Sequence, residues 1–180
     1  MIEHHSASII TPLISAEAIE SRIREIGREI SDDYAEVTPQ CPLHLVVVLK
    51  GAFIFAADLV RTITVPCTID FIHASSYGSG KTSSGNVAIR HNLTVEGRHL
   101  LLVEDIIDTG LTMQEITAEL KTLHPASLKI CSLLDKPDAR KHPVEIAYTG
   151  FIVPDTFVVG YGVDYDEHYR ELPFIGVLNS

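Results

Sequence analysis

The sequence predicts an α/β fold built on a mostly parallel sheet, and two stretches sharing one plan carry that prediction. Leu43 to Leu49 and Leu100 to Val103 are unbroken apolar runs of strand length, the pattern of strands buried on both faces. Each is followed within a few residues by a glycine, Gly51 or Gly110, and then by apolar residues at helical spacing. Open sheets made from such units bind ligands beyond the carboxyl ends of their strands. At 180 residues the chain is expected to form one domain, residues 1–180, burying about 70% of its unfolded surface in a single core.

Taken in order, Ile19, Ile23, Ile26 and Ile30 repeat at helical spacing behind Ser15, a plausible N-cap, and predict a packing helix. The strand at Leu43 to Leu49 leads through Lys50-Gly51 into a second helix patterned on Phe53, Ala57 and Val60. On spacing alone, Lys50 and Gly51 serve as well for a helix entry as for a ligand. Thr68 to His73 reads as another strand. Residues 75–86 then hold three glycines and five serines and are expected to be a flexible loop, with Val87 to Asn92 as its returning strand.

After Val103 come Glu104 and Asp105, whose side chains would point to opposite faces of a continuing strand. An unpaired buried carboxylate is costly, so the strand is expected to stop there and release both into a cleft. Asp108-Thr109-Gly110-Leu111-Thr112 forms a small turn before a helix marked by Met113, Ile116, Leu120 and Leu123. Free backbone amides and the positive end of a helix dipole suit such a turn to a phosphate. Leu128 to Leu134 is a further strand ending in Asp135-Lys136-Pro137, residues 156–165 are strand-like with two glycines, and the tail from Phe174 reads as a closing strand.

Val103-Glu104-Asp105-Ile106-Ile107-Asp108-Thr109-Gly110 resembles the ribose-phosphate signature of the purine phosphoribosyltransferases, and of their hypoxanthine-guanine branch in particular. Four separated motifs agree. Leu49-Lys50-Gly51 is similar to the family's diphosphate loop, where the Leu-Lys peptide is typically cis. Ser75-Ser76-Tyr77-Gly78 resembles its mobile catalytic loop, Lys136 the lysine that meets the purine 6-oxo group, and Phe157, Val158, Asp164 and Arg170 its base-stacking, base-contacting, purine-edge and diphosphate residues. One position departs from the pattern: some members carry a basic residue where this chain has Leu111.

The resemblance implies a type I phosphoribosyltransferase fold, with a twisted, mostly parallel sheet flanked by helices, a small hood and a long flexible hairpin loop. It implies transfer of a 5-phosphoribosyl group from phosphoribosyl diphosphate to N9 of hypoxanthine or guanine, giving IMP or GMP and diphosphate. Asp108 is then the candidate general base, and Glu104, Asp105, Asp108, Thr109, Gly110, Leu111 and Thr112 the ribose and 5′-phosphate residues. Lys50, Gly51 and Arg170 would take diphosphate, and Glu104, Asp105 and Asp164 would serve a metal. Alternatives are a sensor of phosphoribosyl diphosphate acting as a regulator, or a transferase for another base such as xanthine.

Composition supports that direction. A net charge of −10, from 14 basic and 24 acidic residues, argues against non-specific binding to nucleic acid or to an anionic membrane. A polyanionic substrate on an acidic chain calls for a divalent cation between them, most simply Mg²⁺. Three scattered cysteines without a Cys-x-x-Cys pair fit a reducing, cytoplasmic setting. The start of the chain, with Glu3 and no basic cluster, indicates neither export nor insertion into a membrane. The family usually forms dimers or tetramers.

Overall fold

The structure, a computed structural model, describes residues 9–38, 40–76, 87–90 and 93–179. In chain order the elements are β1 (Ile9–Ile14), α1 (Ala16–Tyr34), β2 (Leu43–Leu49), α2 (Phe53–Val60), β3 (Cys67–Ser76), β4 (Val87–Arg90), β5 (His99–Ile107), α3 (Leu111–Thr122), β6 (Ser127–Asp135), β7 (Tyr148–Ile152), β8 (Val158–Val159) and β9 (Ile175–Asn179). Six strands form the main sheet in the order β4-β3-β2-β5-β6-β7, parallel except for the antiparallel pair β3 and β4. A small second sheet, ordered β1-β9-β8, is the hood.

Alternation along the strands explains why they read as continuous apolar runs. In β2, Leu43, Leu45 and Val47 pack with Ile19, Ile23, Ile26 and Ile30 of α1 and Phe55 and Leu59 of α2. Val46 and Val48 face the other way, into a second core with Met113, Ile116 and Leu120 of α3. Strand β5 repeats the division, with Leu101 and Val103 on one side and Leu100 and Leu102 on the other. Helices therefore cover both faces, as a parallel sheet requires. The α1 N-cap is as expected, with the Ser15 hydroxyl accepting from the Ala18 amide at 3.2 Å.

The connections from β2 run to one side of the sheet and β5 lies on the other, so the strand order switches between β2 and β5. The crevice beyond their carboxyl ends is where such sheets hold ligands. There the structure corrects the expected strand end. Strand β5 does not stop at Glu104; it runs to Ile107, and both carboxylates are buried. The cause is β6, which keeps pairing alongside through Glu104↔Ser132, Ile106↔Leu134 and Ile107↔Asp135, whereas pairing with β2 ends at Val47↔Val103. One edge of β5 is thus tied and the other open where the β2 turn departs.

Three further elements differ from the sequence reading. Helix α2 buries Phe55, Ala56 and Leu59, leaving Phe53 and Ala57 exposed, because a helix apolar nearly all round has no single stripe to read. Residues 156–165 hold only the two-residue β8 before a turn in which Gly160, Tyr161 and Gly162 all have positive φ. β4 ends at Arg90, and Tyr77 and Gly78, with the remainder of the expected loop, lie outside the described residues. Ser75 and Ser76 close β3, opposite Ala88 and Val87.

Candidate functional site

The chain after β5 builds a turn whose backbone is held from one side. Gly110 adopts φ +86° as the residue before α3, a conformation that only glycine reaches cheaply, and a Cβ there would lie 2.4 Å from the His142 carbonyl oxygen. The carbonyls of Ile107, Asp108 and Thr109 all accept hydrogen bonds from residues 136–142. Arg140 Nη2 and the Lys136 amide donate to Ile107, Arg140 Nε donates to Asp108 at 2.9 Å, and the amides of Lys141 and His142 donate to Thr109, both at 2.9 Å. Beside the turn is a cavity of about 150 Å³ whose lining includes Glu104, Asp105, Asp108, Thr109, Gly110 and Thr112. Asp108 is exposed and Thr109 half-buried, while Leu111 opens the helix.

Glu104 and Asp105 both line this cavity. Burial pushes both carboxyls up from their ordinary range, Glu104 strongly so because the Asp105 charge stands beside it. Their hydrogen bonds are local: the Asp105 amide donates to Glu104 Oε1 at 3.1 Å and the Ile106 amide to Asp105 Oδ1 at 2.9 Å. Among the described residues neither carboxylate joins an ion pair. Two adjacent buried acids that share one opening are costly unless something compensates their charge.

The Lys50-Gly51 turn closes on the same place. A Cβ on Gly51 would lie 1.8 Å from Asp105 Oδ2, and one on Gly162 would lie 2.2 Å from the Gly51 carbonyl oxygen, so three segments meet with no side chain between them. The Leu49–Lys50 peptide is cis. Lys50 Nζ pairs with Glu167 at 2.9 Å, Glu167 with Arg170 Nη2 at 3.3 Å, and Arg170 Nη1 with Asp164 at 3.0 Å and with the Gly162 carbonyl at 2.7 Å. Lys50 and Arg170 also line a cavity of about 590 Å³ with Phe53 and Phe71.

Lys136 is buried at the end of β6, unusual for a lysine, and its amide fastens the carbonyl of Ile107. Phe157 presents an exposed ring, braced edge-on by Tyr165 at 5.3 Å between centroids, and Val158 is buried in β8. Glu104 and Asp105 are brought together with Gly51, and Lys50 with Arg170. Asp164 stands apart from the two β5 carboxylates: it is committed to Arg170 and to the Glu167 amide at 2.8 Å, and among the described residues no three metal-ligating side chains cluster. Arg140, Asp135 and Glu167 are contributors that the sequence reading left out. Their only signal in the sequence is position just after strands and glycines already singled out.

Comparison with known proteins bears on this geometry. Residues 13–166 match the phosphoribosyl transferase domain family. The chain is similar to the hypoxanthine-guanine phosphoribosyltransferase of Mycobacterium avium, at 49% identity over 181 residues covering 98% of this chain and 89% of that protein. The Bacillus subtilis protein of the same name is 46% identical, covering 92% and 91%, and the hypoxanthine phosphoribosyltransferase of Haemophilus influenzae is 44% identical, covering 98% and 97%. Among solved structures, hypoxanthine phosphoribosyl transferase from Trypanosoma cruzi superposes with a TM-score of 0.89 at 42% identity, covering 98% of this chain and 94% of that one. A hypoxanthine-guanine phosphoribosyltransferase from Bacillus anthracis gives 0.85 at 41% identity, covering 93% and 98%.

Proposed function

We propose, since the chain belongs to the hypoxanthine-guanine branch of the phosphoribosyltransferase family, a division of labour among its residues in purine salvage. The enzyme transfers a 5-phosphoribosyl group from phosphoribosyl diphosphate to a purine base and releases diphosphate. The observation that carries the residue assignments is the meeting, at one strand-order switch, of a turn with its carbonyls tied back, two buried unpaired carboxylates and a lysine–arginine pair.

The amides of residues 108 to 112, with the hydroxyls of Thr109 and Thr112, receive the 5′-phosphate at the start of α3. Glu104 and Asp105 accept hydrogen bonds from the ribose hydroxyls, which are donors to carboxylates. Lys50, Gly51 and Arg170 face the diphosphate, with Arg170 offering a planar donor fork suited to phosphate oxygens. Phe157 stacks on the base, Val158 contacts it through the backbone, and Asp164 meets the purine edge. Lys136 donates to the 6-oxo group of hypoxanthine or guanine, an oxygen that adenine lacks. Asp108, exposed at the mouth of the cavity, takes the proton from purine N7 as N9 attacks the sugar. The Ser75-Ser76-Tyr77-Gly78 segment belongs to this reading as the loop that closes over the reaction.

Mg²⁺ fits the donor set. Two buried, adjacent carboxylates beside a polyanionic substrate suit an ion that uses one or two protein carboxylates and completes its shell with water and substrate oxygens, so the absence of a three-residue cluster among the described residues does not count against it. Glu104 and Asp105 would hold it, with Asp164 as the residue for a second ion. When bound, such an ion neutralises charge on the departing diphosphate.

A dimer or tetramer in the cytoplasm completes the reading. Phe53 and Phe71 leave apolar surface next to Lys50 for self-association, the three cysteines are free, and no helix among the described residues is long and apolar enough to cross a membrane. The deciding assay supplies each free base with phosphoribosyl diphosphate and Mg²⁺. Nucleotide from hypoxanthine or guanine is expected; binding of phosphoribosyl diphosphate with no nucleotide from any base would favour a sensor instead.

A further inference from the structure

The cavity assigned to the 5′-phosphate has a difficulty built into it. Three carboxylates, those of Glu104, Asp105 and Asp108, line it, and none of its described lining residues is basic. Leu111, at the start of α3, brings no charge either. A dianion would enter a space that repels it unless positive charge acts from elsewhere.

That charge stands behind the turn. Arg140 donates from Nε to the Asp108 carbonyl at 2.9 Å and from Nη2 to the Ile107 carbonyl at 3.2 Å, and the same guanidinium pairs with Asp135. Arginine and aspartate are each only 16% exposed, so the pair is fixed in the protein and little screened by solvent. A lysine could not span these acceptors, whereas the planar fork of arginine reaches two carbonyls and a carboxylate together. The glycine at position 110 allows this approach, since a Cβ there would lie 2.8 Å from Arg140 Cδ.

Peptide geometry transmits the clamp to the front. In a trans peptide the carbonyl and the following N–H point in opposite directions, and the peptides from 107 to 110 are all trans. With the carbonyls of Ile107, Asp108 and Thr109 drawn toward residues 136–142, the amides of Asp108, Thr109 and Gly110 turn the other way. That is the side of the cavity, which none of residues 136–142 lines. A cation on a carbonyl also makes the N–H of the same peptide a stronger donor.

We propose that Arg140 is a positioning residue for the 5′-phosphate: from behind the turn it aims and polarises the backbone amides of Asp108 and Thr109, supplying positive character that the cavity's own side chains lack. This rests on the assignment of residues 108 to 112 to the 5′-phosphate. Arg140 touches no substrate, and its effect is confined to the phosphate end.

The test uses the full-length protein with Arg140→Lys and Arg140→Met, titrated with ribose 5-phosphate in a calorimeter and assayed with phosphoribosyl diphosphate and hypoxanthine. Arg140→Lys should weaken ribose 5-phosphate binding and raise KM for phosphoribosyl diphosphate by about tenfold, and Arg140→Met by roughly a hundredfold. KM for hypoxanthine should stay within about twofold. If Arg140→Met fails to fold, Arg140→Lys with a wild-type circular dichroism spectrum carries the test alone. Wild-type affinity for ribose 5-phosphate in folded Arg140→Lys overturns the proposal, as does a KM for hypoxanthine that rises in step with that for phosphoribosyl diphosphate. Wild-type protein that binds no ribose 5-phosphate overturns the underlying phosphate assignment, and the proposal with it.

Discussion

The two ends of the six-stranded sheet treat charge in opposite ways. At the amino-terminal end, charged and polar side chains pair across elements, some of them at the surface. Lys129 Nζ pairs with Asp33 at 2.8 Å and lies over the rings of Tyr34 and Tyr148, whose hydroxyl donates to Asp33 at 2.6 Å. His99 Nδ1 and the Ser127 hydroxyl lie 2.8 Å apart, as do His44 Nδ1 and the Thr68 hydroxyl. At the carboxyl end, Glu104 and Asp105 sit side by side with raised affinity for protons and, among the described residues, no ion pair. The same β-strands serve both ends, so the difference lies in what each end is for. Paired charge fastens helix to sheet, and in the proposed function the unpaired carboxylates are the ones that meet the ligand.

The largest expected effect tests the carboxyl end. Asp108→Asn should lower turnover by roughly 10²–10⁴-fold while phosphoribosyl diphosphate still binds, as isothermal titration and single-turnover assays would report. Its exposure means stability should hardly move. Lost binding with intact chemistry would contradict its role as base. Glu104→Gln sharpens the contrast further, because activity and stability should part company. Removing one of two buried like charges should leave the protein as stable or up to about 1 kcal/mol more so in urea, while kcat/KM falls roughly 10–100-fold. A variant that is both inactive and less stable would mean that Glu104 is a structural acid after all.

At the amino-terminal end the same kind of change should do the reverse. Tyr148→Phe deletes a hydroxyl that bonds Asp33 and should cost about 1 kcal/mol of unfolding free energy with kcat and KM unchanged. A change in KM there would join the two ends functionally and break the comparison.

The ends also differ in how far they were legible. The β2 and β5 runs, the α1 stripe and the acids beyond Val103 stand out in the sequence because periodicity and charge are local properties. What escaped is set by distant partners. β1 contains Pro12, which speaks against a strand, yet it survives as the edge of the hood sheet with an irregularity between Pro12 and Ile14. β7, Tyr148-Thr149-Gly150-Phe151-Ile152, has no alternation and forms because β6 offers an edge. The burial of Glu104 and Asp105 depends on β6 as well, and the bracing by Arg140 follows from a fold-back that no spacing encodes. Among the amino-terminal bonds, the one from Tyr148 to Asp33 links residues 115 positions apart.

The smallest expected effect is a pH dependence of stability at the foot of β2. His44 is fully buried, and burial lowers its affinity for a proton, the Arg98 charge adding to this and the Asp70 charge opposing it. These are the charged groups that face it: Asp70 on β3, with an oxygen 3.3 Å from Nε2 but no hydrogen bond, and Arg98 ahead of β5, which donates to the same Thr68 hydroxyl. In the unfolded chain this histidine takes up a proton near pH 6.5, while in the fold it stays neutral to lower pH. Over that window the unfolded state binds more protons, so stability is intact above about pH 6.5 and declines as pH falls, levelling off once the folded ring is protonated too. His44→Gln, neutral throughout, should therefore lose less stability than wild type between pH 7.5 and 5.0 in urea titrations, and subtracting the two curves removes the contributions of the other eight histidines. Parallel curves would mean that Asp70 compensates the charge fully, and that the amino-terminal end tolerates an added proton better than its paired design implies.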